Sequence, residues 1–468
     1  MKQRQLFLKL FILGALLGLF ALGLSFVNYI VYEREGYQNQ VVREIERNQI
    51  DSQRLVSPFI TVPYTQMVAC DYRENPALKD KLCAESGEQL FFPEQIDWDA
   101  KFDVSDEKYR RTIYAAISYM ATLKSQGKFR NVNEQVVTAN QRTLDWQSAR
   151  FVLPIKDLRG VHQKPILTIG GEKRQLDFSE YQKTGSGGGI SYLSVALPNL
   201  SLNDFDFTLD MSLEGLQVFS LVPTTEKTTF NATGNWADAK YFGDSLPTQN
   251  SSFDQHFSAK WQSITLGYQN RQDYMRCWNA MNCSQYNHQS SDYYEDKTGE
   301  VLSKASGFAV EFIEPVNVYS QTDRAIKYGW MMTLITFASF FLFESLKGLA
   351  IHPIQYLLVG IAQSVFFLLL LSFSEQYSFL SAYNIAAIAC IGLIGWYLRF
   401  VMGKWLHAIL FSVLLGSLYV VMYVLLQSAE KTFFMGSIFA FVLVAAVMFI
   451  TRNVDWYQMR LKHPKSNG

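Results

Sequence analysis

A chain of 468 residues with 42 basic and 42 acidic side chains has no net charge, and only 18% of its residues are charged. With no long basic run outside the short termini, it lacks the electrostatic footprint of a nucleic-acid binder, and no nucleic-acid partner is expected. Aromatics reach 15% because apolar stretches crowd the two ends, which excludes one uniform domain and points to two or three units.

The first apolar stretch runs from about Leu6 to Val31. A hydrocarbon core of about 30 Å needs roughly 20 helical residues, so this run is long enough to cross. Lys9, near its start, can snorkel to the interface. The run is longer than the roughly 7–15 residues of a signal-peptide core, and it leaves through Phe26, Tyr29, Ile30 and Tyr32 with no small-residue cleavage pattern. It is therefore expected to be an uncleaved anchor. From Tyr32 to Arg54 a helix is predicted, because Val41, Val42 and Ile45 recur at helical spacing among Glu and Arg.

After Pro58 the pattern turns to β-structure. Phe59–Val62 is a β-type run that Pro63 is expected to stop. Thr112–Met120, Phe151–Ile155, Ile166–Ile169 and Ser191–Leu197 follow, and Phe205–Leu209 alternates apolar with polar as a half-buried strand should. Short strands separated by Gly-containing turns predict a sandwich-like, β-rich domain. Ser186–Gly189 reads as a flexible loop, since the Lys-Ser/Thr and helix of a phosphate-cradling loop do not follow it.

Five more apolar runs close the chain, at about Tyr328–Leu346, Ile354–Phe373, Phe379–Phe400, Trp405–Gln427 and Phe433–Ile450. Their connections are too short to hold a domain. With Lys2 and Arg4 in the cytoplasm, Lys347, Arg399, Lys404, Arg452, Arg460, Lys462 and Lys465 fall on the same side, and the loops with Glu375 and with Glu430–Lys431 fall opposite. The expected protein thus has six transmembrane helices, one N-terminal and five C-terminal, both termini cytoplasmic, and the lipid bilayer as its surroundings. Its divisions are a stub and anchor (1–31), an extracytoplasmic β-rich domain with a leading helix (32–327), a five-helix block (328–451) and a tail (452–468).

Cys390 lies in a late apolar run; Cys70 with Cys83, and Cys277 with Cys283, form two close pairs in the middle region. No His or second CxxC accompanies them at zinc spacing, so no metal is expected there. An even number of thiols in an oxidising compartment favours disulfides. Ser125-Gln126-Gly127-Lys128 and Lys297-Thr298-Gly299 match two motifs of penicillin-recognising enzymes, but no S-D-N follows, and a second K-T-G at Lys183 shows how readily the match arises. G-x-S-x-G, H-E-x-x-H and G-x-G-x-x-G are missing. No catalytic residue and no cofactor are expected. Glu344, near the cytoplasmic end of the second span, and His352 beyond it are the candidate functional residues. They offer a proton relay or a weak metal site, or they simply hold helix ends together at the interface. Gln363 and Asn384, in mid-span, read as interhelical glue.

The chain resembles the CreD inner-membrane proteins, also called Cet for colicin tolerance. The resemblance is carried by Thr322–Tyr328, Phe343-Glu344, His352–Gly360, Thr451–Tyr457 and, upstream, Leu221-Val222-Pro223 and Phe242–Pro247. Ser57, where Gly is expected, departs from the pattern, as does Cys277–Asp296, which reads as a loop insertion. The resemblance implies a Gram-negative inner-membrane protein of envelope integrity and stress response, with a periplasmic envelope component or protein as partner, but no known reaction or ligand. The leading expectation is non-enzymatic action through the periplasmic domain; the alternative is a transporter or channel through the C-terminal helical block.

Overall fold

A computed structural model of the chain describes residues 2–70, 81–111, 114–130, 142–181, 190–198, 204–279, 293–295, 301–303, 307–313, 318–347, 351–403, 405–427 and 432–452. It falls into two compact units, Met1–Gln40 with Val316–Gly468, and Val41–Pro315. The division lies within the first helix, α1 (Lys2–Asn48).

The unit Val41–Pro315 is built from three main sheets, of eight, six and four strands among the described residues. The eight-stranded sheet centres on the long hairpin Gln95–Arg111 and Tyr114–Phe129. Its first strand buries Ile96, Trp98, Ala100, Phe102 and Val104 and turns Asp99, Lys101 and Asp103 outward, the period-2 pattern of a strand with one face on a core. Phe205–Leu216 pairs antiparallel on one side of the hairpin, and Lys227–Gly234 pairs parallel on the other. Phe102 lies 5.2–5.3 Å from the rings of Phe219 and Phe312, which belong to the four-stranded sheet. Aromatic faces from two sheets thus close one core, in which Trp98, Phe230 and Trp261 have no exposed surface. Gly127 is required here: a Cβ would stand 2.3 Å from the Phe207 ring.

Several local expectations are corrected. The leading helix ends at Asn48, not at Arg54, which sits in the strand Gln53–Val56. Pro63 does not stop its strand, which runs Phe59–Ala69. It lies where the neighbour on one side changes from Arg150–Pro154 to Arg142–Leu144, so no ladder bond is lost by its missing N–H. Leu266–Asn279 is a helix, α2, that the sequence reading missed; it places Tyr274 and Trp278 against Phe59, so Cys277 belongs to a helix, not a loop. Ser125 faces the core and Lys128 the opposite side of one strand, which excludes the buried helix-start geometry that the penicillin-enzyme match would need. Ser186–Gly189, Lys183 and Lys297–Gly299 lie outside the described residues.

The other unit contains α1 up to Gln40 and α3 (Val318–Lys347), α4 (Pro353–Ser374), α5 (Phe379–Met402), α6 (Trp405–Gln427) and α7 (Thr432–Thr451). Among the described residues, four helical segments are long and apolar enough to cross a membrane: Phe11–Asn48, Pro353–Ser374, Phe379–Val401 and Trp405–Gln427. The chain is therefore a membrane protein with apolar helices and a large β-rich unit. The helix boundaries have local causes. Pro353 occupies the first turn of α4, where no N–H is missed. Gly403 ends α5 in the left-handed region at φ 66°. Aromatic contacts knit the bundle, with Phe340 4.4 Å from Phe411 and Phe366 4.7 Å from Tyr419.

Replacing Phe102 by Ala removes the ring that joins two sheets and is expected to cost about 3–5 kcal/mol. Denaturant unfolding of the full chain, followed by Trp fluorescence, measures it; a loss under about 1 kcal/mol would contradict this core.

Candidate functional site

In the helical unit, the two residues singled out from sequence have different roles. Glu344 is 2% exposed. Its carboxylate accepts a hydrogen bond from the Tyr356 hydroxyl at 2.9 Å and one from the Ile351 backbone N–H at 3.4 Å. It therefore ties the end of α3 to the first turn of α4. His352 is exposed and caps α4: its Nδ1 accepts from the Ile354 N–H at 3.3 Å, while Gln355 accepts from the His352 N–H at 3.1 Å, completing a capping box. Further along, the Gln363 amide accepts from Thr333 at 2.8 Å and donates to Thr336 at 2.9 Å, joining α3 to α4. Asn384 is exposed on α5.

The β-rich unit holds a polar cluster that sequence reasoning missed. Glu214 interrupts the apolar end of Phe205–Leu216, and its side chain is 2% exposed. Lys108 Nζ and His162 Nε2 donate to its two oxygens, and the Tyr109 hydroxyl donates at 3.0 Å. A bulge makes this convergence possible. Pairing of the long hairpin passes from Ser105 with Ser118 to Tyr109 with Ala116, which leaves residues 106–108 opposite Ile117 alone. On the other flank, the turn Leu158–Gly160 packs so closely that a Cβ on Gly160 would lie 2.2 Å from the Glu214 carbonyl oxygen. That contact sets His162, two residues on, against the carboxylate. Burial alone would raise the Glu214 carboxyl, but hydrogen bonds from Lys108, His162 and Tyr109, with the charge of Lys108, hold it below its ordinary value.

A second group of charges is joined to it through Gln53. Gln53 Nε2 donates to the carbonyls of Glu214 at 2.8 Å and Asp157 at 3.0 Å. Asp157 accepts from the Asp51 N–H and from the Arg159 guanidinium, which also donates to the Glu46 and Arg47 carbonyls at the end of α1. Those last-turn carbonyls have no partner within the helix, so Arg159 satisfies them. Burial would raise the Asp157 carboxyl, but Arg159 and backbone N–H groups hold it down.

A carboxylate holding an imidazole by one nitrogen is half of a general-base arrangement. The hydrogen bonds described for His162 include no Ser, Thr or Cys to serve as nucleophile. The cluster's chemistry is that of a satisfied, partly buried ion network. Cys70 and Cys83 are joined by a disulfide at the end of the Phe59–Ala69 and Leu82–Phe91 hairpin. A loop this short stabilises by about 2–3 kcal/mol in the chain-entropy model. The Cys277 side chain and Cys283 lie outside what is described.

Comparison with known proteins bears on the whole chain. The family model for "Inner membrane protein CreD" matches residues 5–457, so both units are included. The chain belongs to the CreD family. Inner membrane protein CreD of Escherichia coli is 28% identical over 100% of this chain and 97% of that protein. Two solved structures are far less similar. A nutrient binding protein from Legionella pneumophila has a TM-score of 0.24 at 8% identity, over 47% of this chain and 69% of its own. A zinc metallopeptidase from Deinococcus radiodurans has a TM-score of 0.17 at 11% identity, over 36% of this chain and 38% of its own. Scores so low carry no argument. The CreD match gives the sequence resemblance its full extent, including the stretches around Glu344 and His352.

In this CreD-family chain the Glu214 cluster makes a pH-dependent prediction. Because its native carboxyl is held low, the stability it contributes is present above the ordinary carboxylate value near 4.3 and is lost as pH falls through the lowered native value. Glu214→Gln is therefore expected to destabilise the β-rich unit by about 1–3 kcal/mol at pH 7. The gap to the parent protein should narrow in acid, where the parent loses the same charge. Thermal unfolding at pH 7 and pH 3 reads both effects; equal stability at pH 7 contradicts the assignment.

Proposed function

We propose that this chain is a six-span inner-membrane protein whose β-rich unit lies in the periplasm. It would serve envelope integrity or stress response without catalysing a reaction, with the helical block as platform and a periplasmic envelope component as partner. The carrying observation is the setting of Glu344. A transport acid must gain and lose a proton or ion in a path, whereas this carboxylate is engaged by Tyr356 and the Ile351 N–H at a helix junction. The bias of Lys and Arg toward the N-terminal side of the spans supports the orientation. The Cys70–Cys83 disulfide is consistent with an oxidising compartment for the β-rich unit.

Complementation of a null strain tests this reading, scored by colicin tolerance or detergent sensitivity beside membrane abundance. Glu344→Gln keeps the shape and most hydrogen bonds and should complement, while Glu344→Leu should act, if at all, through lower abundance. Deleting residues 60–310 with the helices kept should abolish complementation. An abundant but inactive Glu344→Gln protein would overturn the platform reading in favour of a transporter.

A further inference from the structure

Within the helical unit, α1 and α4 do not close on each other. Between them lies a groove of about 370 Å³, walled by α1 from Leu16 to Val27 and by α4 from Leu357 to Leu368, with Phe337 of α3 at its floor. Each wall spans eleven helical steps, so the groove is about 16 Å long, roughly half of a 30 Å hydrocarbon core. That volume is the space open to the centre of a water molecule, so over this length the clear opening between atom surfaces is about 8 Å across. A helix with its side chains is about 10–12 Å wide and does not fit. A single hydrocarbon chain does, because carbon atoms pack at about 4 Å.

The lining has the matching chemistry. Ser364 is its one polar side chain, so water would lack the two to four polar partners it needs there. Gly360 and Ser364 stand four apart on α4, the small-residue spacing that ordinarily lets a second helix approach closely. α1 answers with Gly23, yet it remains the least covered of the four apolar helices, with 17% of its most apolar stretch buried against 44% for α4. Leu19 and Phe26 are exposed along the same wall. We infer that this groove is a binding site for one acyl chain of a bilayer phospholipid, held between α1 and α4 over about one leaflet's depth. The inference needs only the membrane setting of these helices, not the periplasmic placement of the other unit.

The full chain, reconstituted in phosphatidylethanolamine–phosphatidylglycerol vesicles doped with phosphatidylethanolamine bearing a diazirine in its acyl tail, gives the test. After photolysis, peptide mapping should find groove residues such as Leu19 and Ile361 labelled about tenfold above Leu410 and Val413, which lie exposed on α6 and do not line this groove. Gly23→Leu should bring groove labelling down to the α6 level, since a Cβ there meets only Ser364 Oγ at 3.5 Å and the side chain can fill the groove without forcing the backbones apart. Ser364→Leu should do the same, with α6 labelling unchanged in both. Uniform labelling of the parent protein overturns the proposal whether or not the variants fold. So does groove labelling that survives both substitutions.

Discussion

Hydrocarbon offers no hydrogen-bond partner to a peptide group, so each N–H and C=O that enters a bilayer must be satisfied within its own segment or by a closed barrel. The architecture follows from that requirement. The apolar runs of this chain become helices, whose backbone bonds are internal. Its β-rich middle forms open sheets, and the outer strands Gln249–Phe253 and Glu172–Gln175 of the eight-stranded sheet each have one side without a partner strand among the described residues. Every residue of Gln249–Phe253 is exposed, an edge that only an aqueous setting tolerates. One of the two boundaries between the units falls inside α1, where the backbone bonds are internal to the helix.

The same accounting governs the buried polar side chains. In the helical unit, Gln363 is satisfied by Thr333 and Thr336, and Glu344 by Tyr356 and a backbone N–H, so each polar group joins α3 to α4. In the β-rich unit, Glu214 has three side-chain donors and Asp157 has the Arg159 fork. Removing one member of such a network leaves the others desolvated, which makes these sites costly to disturb and gives them a structural meaning before any functional one.

What could be read from the residues divides by range. The helices α4 to α7 begin within a residue of their expected starts, because hydropathy over 20 residues is a local property, and Pro353 and Gly403 punctuate it. The alternation in Phe205–Leu209 likewise marked its strand. By contrast, Lys108 and His162 stand 106 and 52 residues from Glu214, and a bulge brings the first of them in. No local pattern encodes that meeting, although a lone acid in the run Leu213-Glu214-Gly215-Leu216 was a legible sign of a buried, partnered carboxylate. Helix α2 was missed because few of its residues are apolar; Tyr274 and Trp278, four apart, were its signal. Pro63 was misread because its effect depends on which neighbour its nitrogen faces, a tertiary fact.

In the proposed function the β-rich unit is the exported, working part, and the helices return to the side from which they started. Alkaline phosphatase, which is active only outside the cytoplasm, tests it directly when fused to the chain at two points and assayed in intact cells. A fusion after Arg150 should be active and a fusion after Arg452 inactive. An inactive fusion after Arg150, or an active one after Arg452, would contradict the account, the first by placing the β-rich unit in the cytoplasm and the second by requiring an odd number of spans.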